Sequence, residues 1–111
     1  MVLFGEEHGN PVSHHLENTI YSHLATQRKG GYTLSLEMLT TEQQDKVNLY
    51  ASGEDCGVSA VDLLGPGGWE VSDYASLLEI ARQSESRIIG ANAPRRLTSL
   101  VAKSGVSALD R

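Results

Sequence analysis

The order of apolar and polar positions along the chain predicts three strand–helix units. An apolar run at 2–4 predicts a first strand, buried on both faces. Residues 32–36 are rich in β-forming side chains and predict a second strand, with Glu37 at its end. A third strand is predicted at 87–91, followed by Asn92. We therefore expect an α/β fold, with a mostly parallel sheet of about three strands flanked by helices.

Four helices are predicted in all, and the first two follow the first and second strands. The first begins at Asn10 and Pro11, because Asn caps free N–H groups and Pro suits a first helical turn. We expect its inward face to hold Leu16, Ile20 and Leu24. A capping box at Thr41 and Gln44 predicts the second helix, which runs to about residue 51.

Two further helices flank the third strand. The earlier one is indicated by apolar residues at positions i, i+3, i+4 and i+7, which are Tyr74, Leu77, Leu78 and Ala81. The later one begins at Pro94 and ends at Gly105, with inward-facing residues Leu97, Leu100 and Val101. Residues 52–68 form a long, glycine-rich connection, which we expect to act as a lid or binding loop.

Composition and charge exclude several classes of protein. The 111 residues suffice for one small domain, and the net charge of −5 comes without a basic stripe, so nucleic-acid binding is not expected. The single cysteine rules out an internal disulfide. The apolar runs are too short for a transmembrane segment, and no signal peptide is recognisable, so the compartment stays open.

Polar side chains follow each predicted strand at its carboxyl end. Glu6 and His8 follow the first strand, Glu37 the second, and Asn92 and Arg95 the third. Ligands bind at the carboxyl ends of parallel strands, so these side chains are the candidate site.

The acidic and histidine side chains allow two kinds of chemistry. Glu6, His8 and Glu37 are ligand types that bind a divalent metal such as Zn, Mn or Fe. Alternatively, Glu6 and Glu37 form an acid/base pair whose pKa values are split by proximity. Glu37 favours a site over solvated loop residues, because a carboxylate that continues a buried strand is costly without a partner.

The segment after the third strand suits an anion. The helix beginning near Pro94 offers free N–H groups, and Arg95 can grip a carboxylate with two hydrogen bonds. The simpler interpretation of Asn92 is that it caps or turns the chain. For His14 and His15, either one faces the site or both lie on the surface, and we favour the surface.

Four segments, in order along the chain, resemble the ChaN-like haem-binding uptake family. Residues 2–11, followed by His14-His15-Leu16, look like the opening of that family. Residues 34–38 resemble its second strand with the acidic end, and residues 69–82 resemble the stretch before its third strand. Residues 88–95 are similar to its next motif.

The resemblance implies haem binding in haem or iron uptake or trafficking, often in membrane-attached lipoproteins. It implies that residues 1–111 are the N-terminal portion of a single, longer domain. His8, Asn92 and Arg95 are the expected haem-binding residues, and a homodimer would complete the haem slot. The wider superfamily includes Tiki proteases and erythromycin-esterase-like hydrolases. The alternative is therefore a metal- or Glu/His-dependent esterase or peptidase with Glu6, His8 and Glu37 as catalytic residues.

Overall fold

The structure, a computed structural model, describes residues 1–110, with Glu54 described in its backbone alone. The described chain has five α-helices around a two-stranded parallel sheet. In chain order the elements are α1 (Pro11–Gln27), β1 (Leu34–Thr40), α2 (Gln44–Ala51), α3 (Ala60–Leu64), α4 (Val71–Gln83), β2 (Ile88–Asn92) and α5 (Arg95–Ser104). The α/β class and the parallel pairing are confirmed.

The expectation of about three strands is wrong, because residues 2–4 form no strand. Val2 and Leu3 are 60% and 83% exposed, so the run is not buried on either face. At the outer edge of β2, the Gln44 carboxamide takes the backbone groups with which another strand would pair. It donates to the Ile88 carbonyl at 2.9 Å and accepts from the Gly90 N–H at 3.0 Å.

The two strands approach each other closely at their carboxyl ends. Leu34 pairs with Ile88, and the register shifts between Leu36 and Thr40. A Cβ atom on Gly90 would collide with the Thr40 carbonyl, so only glycine permits this approach. β1 continues to Thr40, so Glu37 lies within the strand with an exposed side chain and does not mark its end.

Helix α1 begins where predicted but turns a different face inward. The Asn10 side chain accepts a hydrogen bond from the Val12 N–H at 2.9 Å, and Pro11 is the first helical residue. The predicted inward face of Leu16, Ile20 and Leu24 is wrong, because Leu16 and Ile20 are exposed. The buried residues of α1 are His14, Tyr21 and Ala25.

Helix α4 supplies the centre of the core, as its spacing predicts. Its buried residues are Tyr74, Leu77, Leu78 and Ala81, and it packs against α1. Helix α5 differs from expectation: no residue in it is buried, and Leu100 is exposed. It packs mainly against the 3₁₀ turn Val106–Asp110, and its Arg96 forms an ion pair with Glu42 just before α2.

The connection at 52–68 is built into the core. It contains α3, capped at Ser59, whose N–H donates to Asp62 Oδ2 at 2.8 Å. Leu63 and Leu64 have no exposed surface. A lid function for this segment stays a prediction. In the described part of the chain, no helix has the length and apolar character needed to cross a membrane.

Candidate functional site

A cluster of acidic and histidine side chains lies where the segment before α1 meets α1 and α4. Glu6 comes from that segment, His14 and Glu17 lie one turn apart on α1, and Asp73 and Tyr74 begin α4. The contact between α1 and α4 brings the two helix starts together.

A tight turn places Glu6 over the start of α1. Gly9 has a φ of 74°, which glycine adopts without strain, and the Asn10 N–H donates to the Glu7 carbonyl at 3.0 Å. The Asn10 side chain then caps α1 and also donates to Glu7 Oε2 at 3.0 Å. The turn thus directs Glu6 and His8 back toward the helix.

The two carboxylate oxygens of Glu6 have different partners. Oε1 accepts a hydrogen bond from the Tyr74 hydroxyl at 2.5 Å and contacts His8 Nδ1. Oε2 lies 3.4 Å from His14 Nδ1 and has no hydrogen-bond partner in the described chain. One oxygen therefore fixes the position of Glu6, while the other faces a buried space shared with His14.

His14 lies between three carboxylates. Its Nδ1 is 3.5 Å from Glu17 Oε2 as well as 3.4 Å from Glu6. Its Nε2 is 3.4 Å from Asp73 Oδ2. The His14 side chain is 7% exposed, and neither ring nitrogen makes a hydrogen bond within the described residues. The Tyr74 ring stands edge-on to the imidazole, at 5.2 Å between centroids.

The pKa values of Glu6 and Glu17 move in opposite directions. Burial raises the pKa of Glu17 to about 7, and the neighbouring Glu6 carboxylate adds to the effect. Burial would also raise the pKa of Glu6, but the hydrogen bond from Tyr74, the contact with His8 and the neighbouring Glu17 and His14 side chains together lower it. Burial and the hydrogen bond to Glu6 raise the pKa of Tyr74, so its hydroxyl stays a donor. As the pH falls, Glu17 is therefore the carboxyl of the pair that takes up a proton first.

His8 lies at the surface beside an aromatic side chain. Its side chain is 51% exposed, and its ring lies edge-on to Trp69 at 5.1 Å between centroids. Trp69 in turn packs edge-on to Tyr74 at 6.0 Å. Because Nδ1 contacts Glu6, the Nε2 nitrogen is the one that remains to meet a ligand.

The structure brings together some of the residues proposed from sequence but not others. Glu6 and His8 are in contact, as expected of neighbours after an apolar run. Glu37 is exposed on β1, outside the group of close metal-ligand types found among the described residues. Asn92 ends β2 half-buried and does not cap α5, whose cap position is Pro94. Arg95 begins α5 with an exposed side chain.

Sequence reasoning missed the roles of His14 and Glu17. The interpretation that we favoured placed His14 at the surface, and it is buried in the cluster. The signal that could have found it is a helical stripe of His14, Asn18, Tyr21 and Ala25, at intervals of four, three and four. Tyr21 and Ala25 on this stripe are buried, whereas the apolar Leu16 and Ile20 are exposed.

The chain matches a known family, described as haem-binding uptake, Tiki superfamily, ChaN, over residues 1–111. The chain belongs to this family. Neither the comparison with curated proteins nor that with solved structures found a match. Membership of the ChaN family supports haem binding at the level of the family.

The residues present fit a haem group in type. An iron ligand is offered by His8, whose imidazole is exposed and supported by a carboxylate. An apolar surface is offered by Trp69 and by the exposed run at 1–4, which leads into Gly5 and Glu6. A cation for a propionate is offered by the exposed Arg95.

Proposed function

We propose that this chain binds haem through His8 and serves in haem or iron uptake or trafficking. The observation that carries the proposal is the half-exposed His8 imidazole beside Trp69, with its Nδ1 held by Glu6. Among the four histidines of the chain, this one combines exposure, an aromatic neighbour and a carboxylate on the inner nitrogen.

The contact with Glu6 prepares His8 as an iron ligand. A carboxylate on one ring nitrogen fixes the tautomer and the ring orientation, and it raises the basicity of the other nitrogen. The Tyr74 hydroxyl donates to the same Glu6 oxygen, so the position of the Glu6 carboxylate is itself fixed. When bound, haem would supply the redox-active iron, and the chain would supply its axial ligand and orientation.

The remaining haem contacts are proposed from residue type and place in the fold. Trp69 and the apolar run at 1–4 would cover part of the porphyrin face. Arg95 and the start of α5 would bind a propionate, with Asn92 at the adjoining end of β2. A second copy of the chain would cover the other face, so we expect haem to promote a homodimer.

A haem titration tests this proposal. We expect saturable binding with a sharpened Soret band, weakened at least tenfold in His8→Ala and unchanged in the matched control His15→Ala, an exposed histidine on α1. Arg95→Ala should weaken binding, whereas Arg87→Ala, at the opposite end of β2, should not. Absence of saturable binding by a folded chain, or equal effects of the two histidine substitutions, would refute the proposal.

A second candidate is a Glu/His-dependent hydrolase of the same superfamily. The buried Glu6–Glu17 pair favours it, because two neighbouring carboxyls whose pKa values are shifted in opposite directions suit general acid/base work. Glu6 and His8 would activate water; Glu37, exposed on β1, would need to approach them to join in. Hydrolysis of an ester or peptide without a Soret band, abolished in Glu6→Gln, would favour this candidate over haem carriage.

A further inference from the structure

We propose that Glu6, His14 and Glu17 form a buried binding site for a divalent transition-metal ion of the Zn²⁺, Mn²⁺ or Fe²⁺ class. The ligand atoms are Glu6 Oε2, His14 Nδ1 and Glu17 Oε2. The site shares Glu6 with the surface at His8 but uses its other oxygen, and it differs from the ligand set of Glu6, His8 and Glu37 expected from sequence.

The spacing of these atoms is that of metal ligands. Each of the three residues offers one ligand atom, and these atoms lie within 4.8 Å of one another. His14 Nδ1 is 3.4 Å from Glu6 Oε2 and 3.5 Å from Glu17 Oε2. Tetrahedral ligands with bonds of about 2.0–2.2 Å lie about 3.3–3.6 Å apart. Hydrogen-bonded N···O pairs are closer, at about 2.7–3.2 Å.

The same three atoms lack partners. Glu6 Oε2, His14 Nδ1 and Glu17 Oε2 are all buried without a hydrogen bond to any described residue. The side chains are 8%, 7% and 11% exposed, so water does not replace the missing partners freely. A buried polar atom without a partner costs about 1–3 kcal/mol. These three atoms converge on one space, and a metal ion bound there would supply each of them with a partner.

The atoms around this space hold the ligands in place. His14 Nε2 lies 3.4 Å from Asp73 Oδ2, and with the metal bound its N–H would donate to this carboxylate, as in other metal-binding imidazoles. Glu6 Oε1 is held by Tyr74 and His8, which leaves Oε2 facing inward. The ligands come from α1 and the segment before it, and Asp73 and Tyr74 support them from α4, so the site would connect three segments of the chain.

Charge and ligand type select the ion. The two carboxylates carry negative charge that a divalent cation would neutralise. Burial strengthens the attraction, because little water screens the charges. The imidazole favours a transition metal over Mg²⁺ or Ca²⁺, which prefer oxygen ligands. Three protein ligands leave a fourth position of a tetrahedral ion open for water or another molecule.

A titration of chelator-treated protein with Co²⁺ alone tests the site. We expect one ion per chain, with visible absorbance typical of a tetrahedral or five-coordinate ion, displaced by Zn²⁺. Glu17→Gln keeps the shape of the side chain but removes its charge, and should weaken binding at least about 100-fold, since even outer-shell partners are worth 10–100-fold. The control Glu85→Gln, an exposed acid paired with Lys29, should bind as the unsubstituted chain does.

A second measurement uses the unsubstituted chain, so its result does not depend on whether a variant folds. On addition of Zn²⁺, the ¹⁵N resonance of His14 Nδ1 should move to a metal-bound value, while that of the exposed His15 stays unchanged. No saturable Co²⁺ binding, or binding that Glu17→Gln leaves intact, would overturn the proposal. The cluster would then not be a metal site, and any Co²⁺ that bound would be an adventitious ion only.

Discussion

Glu6 Oε2 and His14 Nδ1 lie 3.4 Å apart, and both side chains are more than nine-tenths buried. The other oxygen of Glu6 contacts His8, which is half-exposed. One carboxylate thus connects a buried cluster to a histidine at the surface. The proposed haem surface and the proposed metal site therefore share Glu6, and a change in the charge of the cluster would alter the electrostatic environment of His8.

The Glu17 carboxyl should make the metal-free protein less stable as the pH rises. Its pKa is raised from 4.5 to about 7 in the folded chain, so the folded state binds more protons than the unfolded state between these values. The contribution of Glu17 is therefore most favourable below pH 4.5 and falls as the pH rises toward 7. The loss should amount to about 2–3 kcal/mol.

Glu17→Gln should remove that loss, because glutamine does not ionise. Urea unfolding at pH 5 and pH 8, in the presence of a chelator, checks this difference. We expect the stability of the substituted chain to exceed that of the original by much more at pH 8 than at pH 5, because pH 5 lies near the start of the window in which Glu17 loses its favourable contribution. A stability difference that is the same at both values would contradict the account.

Tyr74→Phe should destabilise the chain by about 1.5–3 kcal/mol, because the hydroxyl donates to a buried, charged carboxylate at 2.5 Å. Tyr21→Phe is the matched control. Its hydroxyl donates to the Tyr32 carbonyl at a long 3.4 Å, and its loss should cost less than about 1 kcal/mol. Chemical unfolding at neutral pH compares the two, and equal costs would show that the Tyr74–Glu6 bond is not special.

Asp73→Asn should weaken Co²⁺ binding by about 10–100-fold without removing a ligand, since Asp73 acts through His14 Nε2. The control is Asp45→Asn, an exposed acid in the first turn of α2. Both changes remove a favourable charge near a helix N-terminus, so both should lower stability by a similar few tenths of a kcal/mol. Equal metal affinities for the two variants would contradict the role of Asp73.

Gln44→Met should cost about 2 kcal/mol of unfolding free energy. It keeps the length of the side chain but leaves the Ile88 carbonyl and the Gly90 N–H at the edge of β2 without their partner. Gln83→Met, at the end of α4 with an exposed side chain, is the control and should have a small effect. Hydrogen exchange at Gly90 should accelerate in the first variant; unchanged protection there would argue against the edge role of Gln44.

The elements that could be predicted from sequence are those that depend on residues close to one another in the chain. The cap at Asn10 and the stripe of α4 depend on residues close in the chain, and both are confirmed. The apolar run at 2–4 carries a strand pattern, but its pairing depends on a free sheet edge, and Gln44 occupies one such edge. No local sequence pattern indicates that this edge of the sheet is occupied.

Only part of the candidate site could be predicted from sequence, for a similar reason. Glu6 and His8 stand next to each other in the chain, so their contact could be expected. The partners of His14 come from α4 and from the segment before α1, and only packing brings them together. Glu37 was misjudged because β1 runs on to Thr40, which leaves its side chain on an exposed strand position.

The most direct test of haem binding through His8 is chemical rescue. His8→Ala should lose the sharpened Soret band of the haem complex, and added imidazole should restore it by filling the vacated ligand position beside Trp69. His15→Ala should keep the band without imidazole. A His8→Ala chain that binds haem with an unchanged Soret band would contradict the account, and would place the iron ligand elsewhere in the chain.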